Sequence, residues 1–184
     1  MSLRIIGGLF RGRILKSPKT LTTRPTTSMV REAIFNICQD LILDARFCDL
    51  YAGSGAMGFE ALSRGAQFVT FIEKDKIAST CIRENTQLLQ VEEKVQILSM
   101  DVKKALSQLT APYDIIYIDP PYDTSTIESL ETISKKRLLT PNGLLFLEER
   151  HEKKSQSFEI ENLSLIESRR YGIASIHLFQ MKNS

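Results

Sequence analysis

Residues 46–65 read RFCDLYAGSGAMGFEALSRG. A short β-prone run, RFCDLYA, meets three glycines and then a helical pattern, AMGFEALSRG, closed by Gly65. Gly53, Gly55 and Gly58 fit G-x-G-x-x-G after a strand and at the opening of a helix. Without side chains there, the backbone can turn tightly and come close to a ligand. Glu73 ends the next apolar run, QFVTFIE, where a carboxylate can accept both hydroxyls of a ribose. Turn and acid alone fit a dinucleotide-binding fold as well as any other nucleoside-binding one. A phosphate-binding P-loop is excluded, because no G-K-[ST] follows the glycines.

Outward from this unit, strands and helices alternate. KDKIASTCIRENTQLLQ reads as a helix, KVQILSM as a strand, VKKALSQL as a short helix and YDIIYID as a strand. TIESLETISKKRLL is a helix, and GLLFLEE is a strand after a turn at Pro141-Asn142-Gly143. Upstream, RPTTSMVREAIFNICQDLI sets Val30, Ile34, Ile37 and Leu41 at helical spacing, with Thr26 or Thr27 as cap. The tail LSLIESRRYGIASIHLFQMK reads as a hairpin around Gly172. Repeated β–α units predict a mostly parallel sheet with helices on both faces. The expected fold is therefore α/β and Rossmann-like, with seven strands, a C-terminal antiparallel hairpin and a small N-terminal β-hairpin from LRIIGGLFRGRILKS. Residues 1–24 are expected to form a basic hairpin extension and residues 25–184 the main domain.

At 184 residues the chain is long enough for one well-buried core. No apolar run approaches the ~18 residues needed to span a membrane. MSLRIIGG lacks a signal-peptide core, so the expected compartment is the cytoplasm. Cys38, Cys48 and Cys81 have no metal-binding spacing and read as free thiols, and His151 and His177 stand far apart. No metal site is expected. Charge is uneven: Arg4, Arg11, Arg13, Lys16, Lys19, Arg24 and Arg31 fall in the first 31 residues, with no acid among them. Such a segment is either a solvated arm or a phosphate-binding surface for nucleic acid.

The second chemical motif is IIYIDPPYD, residues 115–123. Proline has no N–H for a central ladder, so the strand must stop at Asp119. Two prolines then hold the Asp119 carboxylate, the Pro120 carbonyl and the Tyr122 ring in a stiff frame. In open α/β sheets, ligands bind outside the strand carboxyl ends, so this frame and the glycine turn should converge. Asp49, before the glycines, could orient a cationic ligand. Asp101, in LSMDV, could reach an adenine amino group or simply cap a helix.

The paired motifs resemble the Rossmann-like S-adenosylmethionine-dependent methyltransferases that act on exocyclic amines, whose signature is [DNS]-P-P-[YFW]. RIIGGLFRGRIL, RPTTSMVREAIFN, DLYAGSGAMGFEALSRGA and DPPY together resemble the RsmD family of small-subunit ribosomal RNA guanine-N2 methyltransferases, from about residue 4 to residue 181. The resemblance implies S-adenosylmethionine as methyl donor, small-subunit ribosomal RNA as partner and one cytoplasmic domain, and a monomer is expected. By matched motif, Asp49, Ala52, Gly53, Ser54, Gly55, Glu73 and Lys74 would hold the donor. Asp101 and Val102 would lie near its adenine, and Thr27 and Arg31 beside its amino-acid end. Asp119, Pro120, Pro121 and Tyr122 would form the catalytic frame, with Tyr122 stacking on the flipped base. Tyr51, Met57 and Phe59 depart from the usual apolar residues, and Ser28 sits where an acid is frequent. The alternatives are a DNA adenine or cytosine amino-methyltransferase, a non-catalytic RNA-binding protein and an NAD-binding oxidoreductase.

Overall fold

A computed structural model of the chain describes residues 3–18, 27–121, 125–151 and 158–182. The expected boundary at residues 24 and 25 therefore lies outside the described residues, as do Tyr122 and the alternative cap Thr26. In chain order the elements are β1 (Leu3–Arg4), β2 (Ile14–Leu15), α1 (Ser28–Ile37), β3 (Arg46–Leu50), α2 (Ala56–Ser63), β4 (Phe68–Ile72) and α3 (Lys76–Leu89). They continue with β5 (Val95–Leu98), α4 (Val102–Gln108), β6 (Tyr113–Ile118), α5 (Ile127–Lys135), β7 (Leu139–Arg150), β8 (Leu163–Tyr171) and β9 (Ala174–Met181).

One sheet has seven strands in the order β5-β4-β3-β6-β7-β9-β8, and β1 pairs with β2 in a separate antiparallel hairpin. Strands β3 to β7 run parallel, while β9 is antiparallel to both β7 and β8. The expected architecture is borne out. Two boundaries differ from the sequence reading. Helix α1 ends at Ile37, so Leu41 falls in the turn after it. Pro141-Asn142-Gly143 does not precede the fifth parallel strand but lies within β7. The pairing jumps there from Tyr113↔Leu139 to Ile115↔Leu144, so proline and glycine sit in a bulge that asks no ladder donor of Pro141.

Alternation along the central strands builds two cores. Phe47, Phe71, Tyr117 and Phe146 face one side with Ile34, Phe35 and Phe59 of the helices. Cys48, Leu50, Ile72, Ile116, Ile118 and Leu147 face the other, against Val102, Leu106, Leu130 and Ile133. A strand buried on both faces reads as a continuous apolar run, which is why β4 and β6 carry no regular polar alternation. All three cysteines are free, with Cys38 and Cys48 buried and Cys81 half-buried. Burial pushes the Cys38 thiol up to about 12, against the reactivity of a thiolate. Among the described residues, no helix is long and apolar enough to cross a membrane and no cluster fit for a metal ion occurs.

The N-terminal hairpin is bonded into this body. Ile5 and Leu15 belong to the same core as α1 and α2. Glu60, fully buried in α2, accepts the backbone N–H groups of Ile6 and Gly7 at 2.8 Å each, and Arg64 Nε at 2.8 Å. Ser63 Oγ accepts from Phe10 N, and Asn85 of α3 exchanges two hydrogen bonds with the Lys16 backbone. Replacing Glu60 by alanine leaves partly buried N–H groups without an acceptor. It should lower stability by on the order of 2–4 kcal/mol, read as a shift of the urea midpoint at constant slope.

Candidate active site

The order of the sheet reverses between β3 and β6: β3 runs on to β4 on one side and to β6 on the other. Both chemical motifs leave the sheet at this switch, from neighbouring strands paired Leu50↔Ile118. The crevice beyond those strand ends is where α/β sheets bind ligands.

The turn after β3 is held by carboxylates. Tyr51, Gly53 and Gly55 all have positive φ, at 63°, 55° and 78°. Gly55 is the N-cap of α2 and brings no side chain to cap it. The missing acceptor comes from Asp49, whose buried Oδ2 takes the Gly58 N–H at 3.1 Å. Glu73 ties the other side of the turn, accepting Gly53 N at 2.7 Å on Oε2 and Asp75 N at 2.8 Å on Oε1. Each Glu73 oxygen retains a second lone pair, which suits it to a ribose diol.

The glycines divide their roles. A Cβ on Gly53 would meet nothing within 4 Å, so that position faces open space. A Cβ on Gly55 would stand 2.7 Å from the Phe59 ring, and one on Gly58 2.2 Å from the Phe71 ring. Gly55 and Gly58 are therefore demanded by helix–sheet packing, whereas Gly53 is demanded by its positive φ and leaves the turn open beside it. Ala52 and Ser54 line the same turn, both nearly buried, and Asn85 Nδ2 reaches the Ser54 carbonyl at 3.4 Å. Asp101 caps α4, with Oδ1 accepting Lys103 N at 3.0 Å, and Val102 is buried behind it. The cap reading of Asp101 is thus realised. Lys74 is exposed.

Helix α1 contributes its first turn. Thr27 is the N-cap, accepting from Val30 N at 3.3 Å. Arg31 is 2% exposed, and its Nε and Nη1 have no hydrogen-bond partner among the described residues. Its Nη2 reaches only Ser28 Oγ, at 3.4 Å. Burial pulls the guanidinium pKa down, and the nearby Glu60 charge opposes that. A buried cation with two idle donors is costly alone and well suited to a carboxylate ligand.

Past β6, Asp119 and Pro120 are half-buried and Pro121 is exposed. Asp119 and Pro120 line a cavity of about 260 Å³ with Thr27 and Val30 of α1, Glu148 of β7 and Ile173 of the β8–β9 turn. The β7 and hairpin walls were not singled out in the sequence. Their only signal was the pair Glu148-Glu149 at the end of an apolar strand, which reads equally as a strand leaving the core. Glu148 Oε2 accepts the Tyr117 hydroxyl at 2.5 Å, and burial raises its pKa. His151 and His177 bond to Ser175 and Ser168, and burial lowers the His177 pKa.

Burial raises the Asp49 carboxyl to about 7, the Gly58 N–H opposes this, and the Glu73 charge adds to it. A carboxyl with a raised folded pKa costs nothing while both states are protonated. As pH rises from about 4, the unfolded chain releases its proton first and stability falls, until the folded group also ionises near 7. Asp49→Asn should flatten that decline between about pH 4 and about pH 7, checked by urea denaturation across the range.

The family model described as Conserved hypothetical protein 95 matches residues 3–180. A Haemophilus influenzae protein named Ribosomal RNA small subunit methyltransferase D is 35% identical over 183 residues, covering 97% of this chain and 93% of the relative. The protein of the same name from Escherichia coli K12 is 41% identical over 143 residues, 78% of this chain and 69% of its own. Among solved structures, an Escherichia coli protein described as a candidate methyltransferase superposes with a TM-score of 0.88 at 32% identity, covering 99% of both chains.

Proposed function

This chain belongs to the RsmD family, and on that premise we propose that it transfers a methyl group from S-adenosylmethionine to the exocyclic N2 amine of a guanosine in small-subunit ribosomal RNA. The observation that carries the reading is the convergence, at one switch point, of the carboxylate-held glycine turn and the Asp119-Pro120 frame.

The donor fits residues of this chain on three counts. Glu73 keeps lone pairs for ribose hydroxyls, Gly53 leaves open space, and Arg31 has idle buried donors for the carboxylate of an amino-acid moiety. Asp49 would balance the ammonium group, and Asp101 and Val102 would receive the adenine. When bound, S-adenosylmethionine supplies an electrophilic methyl group on a sulfonium.

The amine is the reluctant partner, since its lone pair is delocalised into the ring. Asp119 and the Pro120 carbonyl accept its two N–H bonds. This orients the nitrogen and favours the positive charge that develops there. The prolines fix both acceptors, so little reorganisation is left for the reacting state. The base leaves its stack to enter the cavity, and Tyr122 stacks on its face. Arg4, Arg11 and Arg13 are exposed on the docked hairpin and suit RNA phosphates, whereas Arg31 is buried and serves the site.

The test is nucleoside mass spectrometry of small-subunit ribosomal RNA from cells with and without this protein. One N2-methylguanosine should disappear with the protein. Retention of every such methyl group would overturn the reading.

Asp119→Ala should leave donor affinity near wild type, because the carboxylate faces the amine. Turnover should fall by ~10²–10³, the scale seen when one positioned group of an oxyanion hole is removed. Calorimetry with the donor and single-turnover methylation measure the two effects separately.

A further inference from the structure

The cavity beside Asp119 has a second acid. β6 and β7 pair Tyr117↔Phe146 and Ile118↔Leu147, where β6 ends, so Asp119 leaves the sheet at the level where Glu148 continues β7. Tyr117 and Phe146 share a face of the sheet, and by strand alternation Glu148 of β7 lies on it too, where it accepts the Tyr117 hydroxyl. Both residues line the cavity. Glu149 also borders the cavity, but by alternation its side chain belongs to the opposite face of the sheet, where it accepts from Thr126 Oγ1 and approaches His177. Glu148 is held in place by the Tyr117 hydroxyl on Oε2, and Oε1 has no hydrogen-bond partner among the described residues.

An ionised carboxylate can only accept hydrogen bonds. The three nucleobase amines differ in what lies beside them. The guanine N2 amine is flanked by N1–H, a donor. The adenine N6 amine is flanked by N1 and the cytosine N4 amine by N3, both bare acceptors. An amine held by Asp119 would bring its neighbouring ring nitrogen to the next strand. A carboxylate there bonds to guanine and faces a lone pair on adenine or cytosine.

We propose that Glu148 is the residue that selects guanine, accepting N1–H while Asp119 and Pro120 hold the amine. The assignment rests on the guanine-directed reading given above and adds its specificity element. Rejection arises because a wrong base leaves a half-buried carboxylate unpaired against a lone pair, which discriminates more strongly than shape alone. Tyr117 is a positioning residue, since it touches Glu148 and not the base.

The test pairs an enzyme variant with an altered base. Glu148→Gln keeps a carbonyl oxygen for the Tyr117 hydroxyl but replaces one carboxylate oxygen by an NH2 donor. Small-subunit ribosomal RNA is assembled with either guanosine or 2-aminopurine riboside at the position whose methyl group is lost in cells lacking the protein. 2-Aminopurine keeps the N2 amine and presents a bare N1. The wild type should methylate guanosine over 2-aminopurine by about 10- to 100-fold in kcat/KM, the worth of one hydrogen bond to a charged group. In Glu148→Gln that ratio should collapse towards one, with donor affinity and thermal midpoint kept. Equal losses on both bases would make Glu148 merely structural and overturn the proposal. Failure of the wild type to methylate the guanosine would instead overturn the underlying reading. Should Glu148→Gln fold poorly, Glu148→Asp gives the same discrimination: a shortened carboxylate should lose guanosine rate selectively.

Discussion

The hydrogen bond from Gly58 N to the buried Asp49 carboxylate, 3.1 Å long, is the contact on which the ligand side of the molecule is built. Gly55 must lack a side chain, because Phe59 and Phe71 occupy the space where one would go. It therefore cannot cap α2 as serine or aspartate would. An acid one strand-length back in the chain does so instead, placing a negative charge at the helix N-terminus. The cost is a carboxyl in an apolar setting, lifted to about 7. The gain is a turn whose geometry is fixed before any ligand arrives. Glu73 completes the clamp from β4, and between them the two acids define the floor of the crevice.

Charge in the neighbourhood is arranged by the same economy. Arg31 is buried with idle donors on the first turn of α1, while acids line the adjoining cavity. The Arg31 arrangement is not the most stable one for a chain with nothing bound, since a buried cation with idle donors is unfavourable. Sites of this kind are explained by what they receive.

The N-terminal hairpin belongs to the same construction. Glu60 and Ser63 of α2 hold its backbone, and Asn85 of α3 holds the chain at Lys16. The hairpin thus rides on the helix that opens at the glycine turn. Its exposed arginines project from a fixed base, and a fixed base lets phosphate contacts position a substrate as well as attract it.

The alternation of strand and helix, the glycine turn and the end of β6 at Asp119 were legible in the sequence, because each follows from local chemistry. Apolar periodicity forces burial of one face, glycine permits positive φ, and proline cannot donate to a ladder. What local chemistry could not supply was pairing across distance. Glu148 and Asp119 border one cavity only because β7 lies next to β6 in a particular register, and no spacing in the chain encodes that register. Gly53 and Gly55 look alike in the sequence, yet one faces open space and the other two aromatic rings. Glu60 reads as an ordinary polar position on a short helix until the hairpin folds over it. Pro141 and Gly143 read as a turn because their local preference is for one, but pairing with β6 on both sides of them carries the strand through as a bulge. The sequence by itself determined the elements and the chemistry carried at their ends. The tertiary structure alone decided which of those groups become neighbours, since hydrogen-bond register and burial arise between segments distant in the chain.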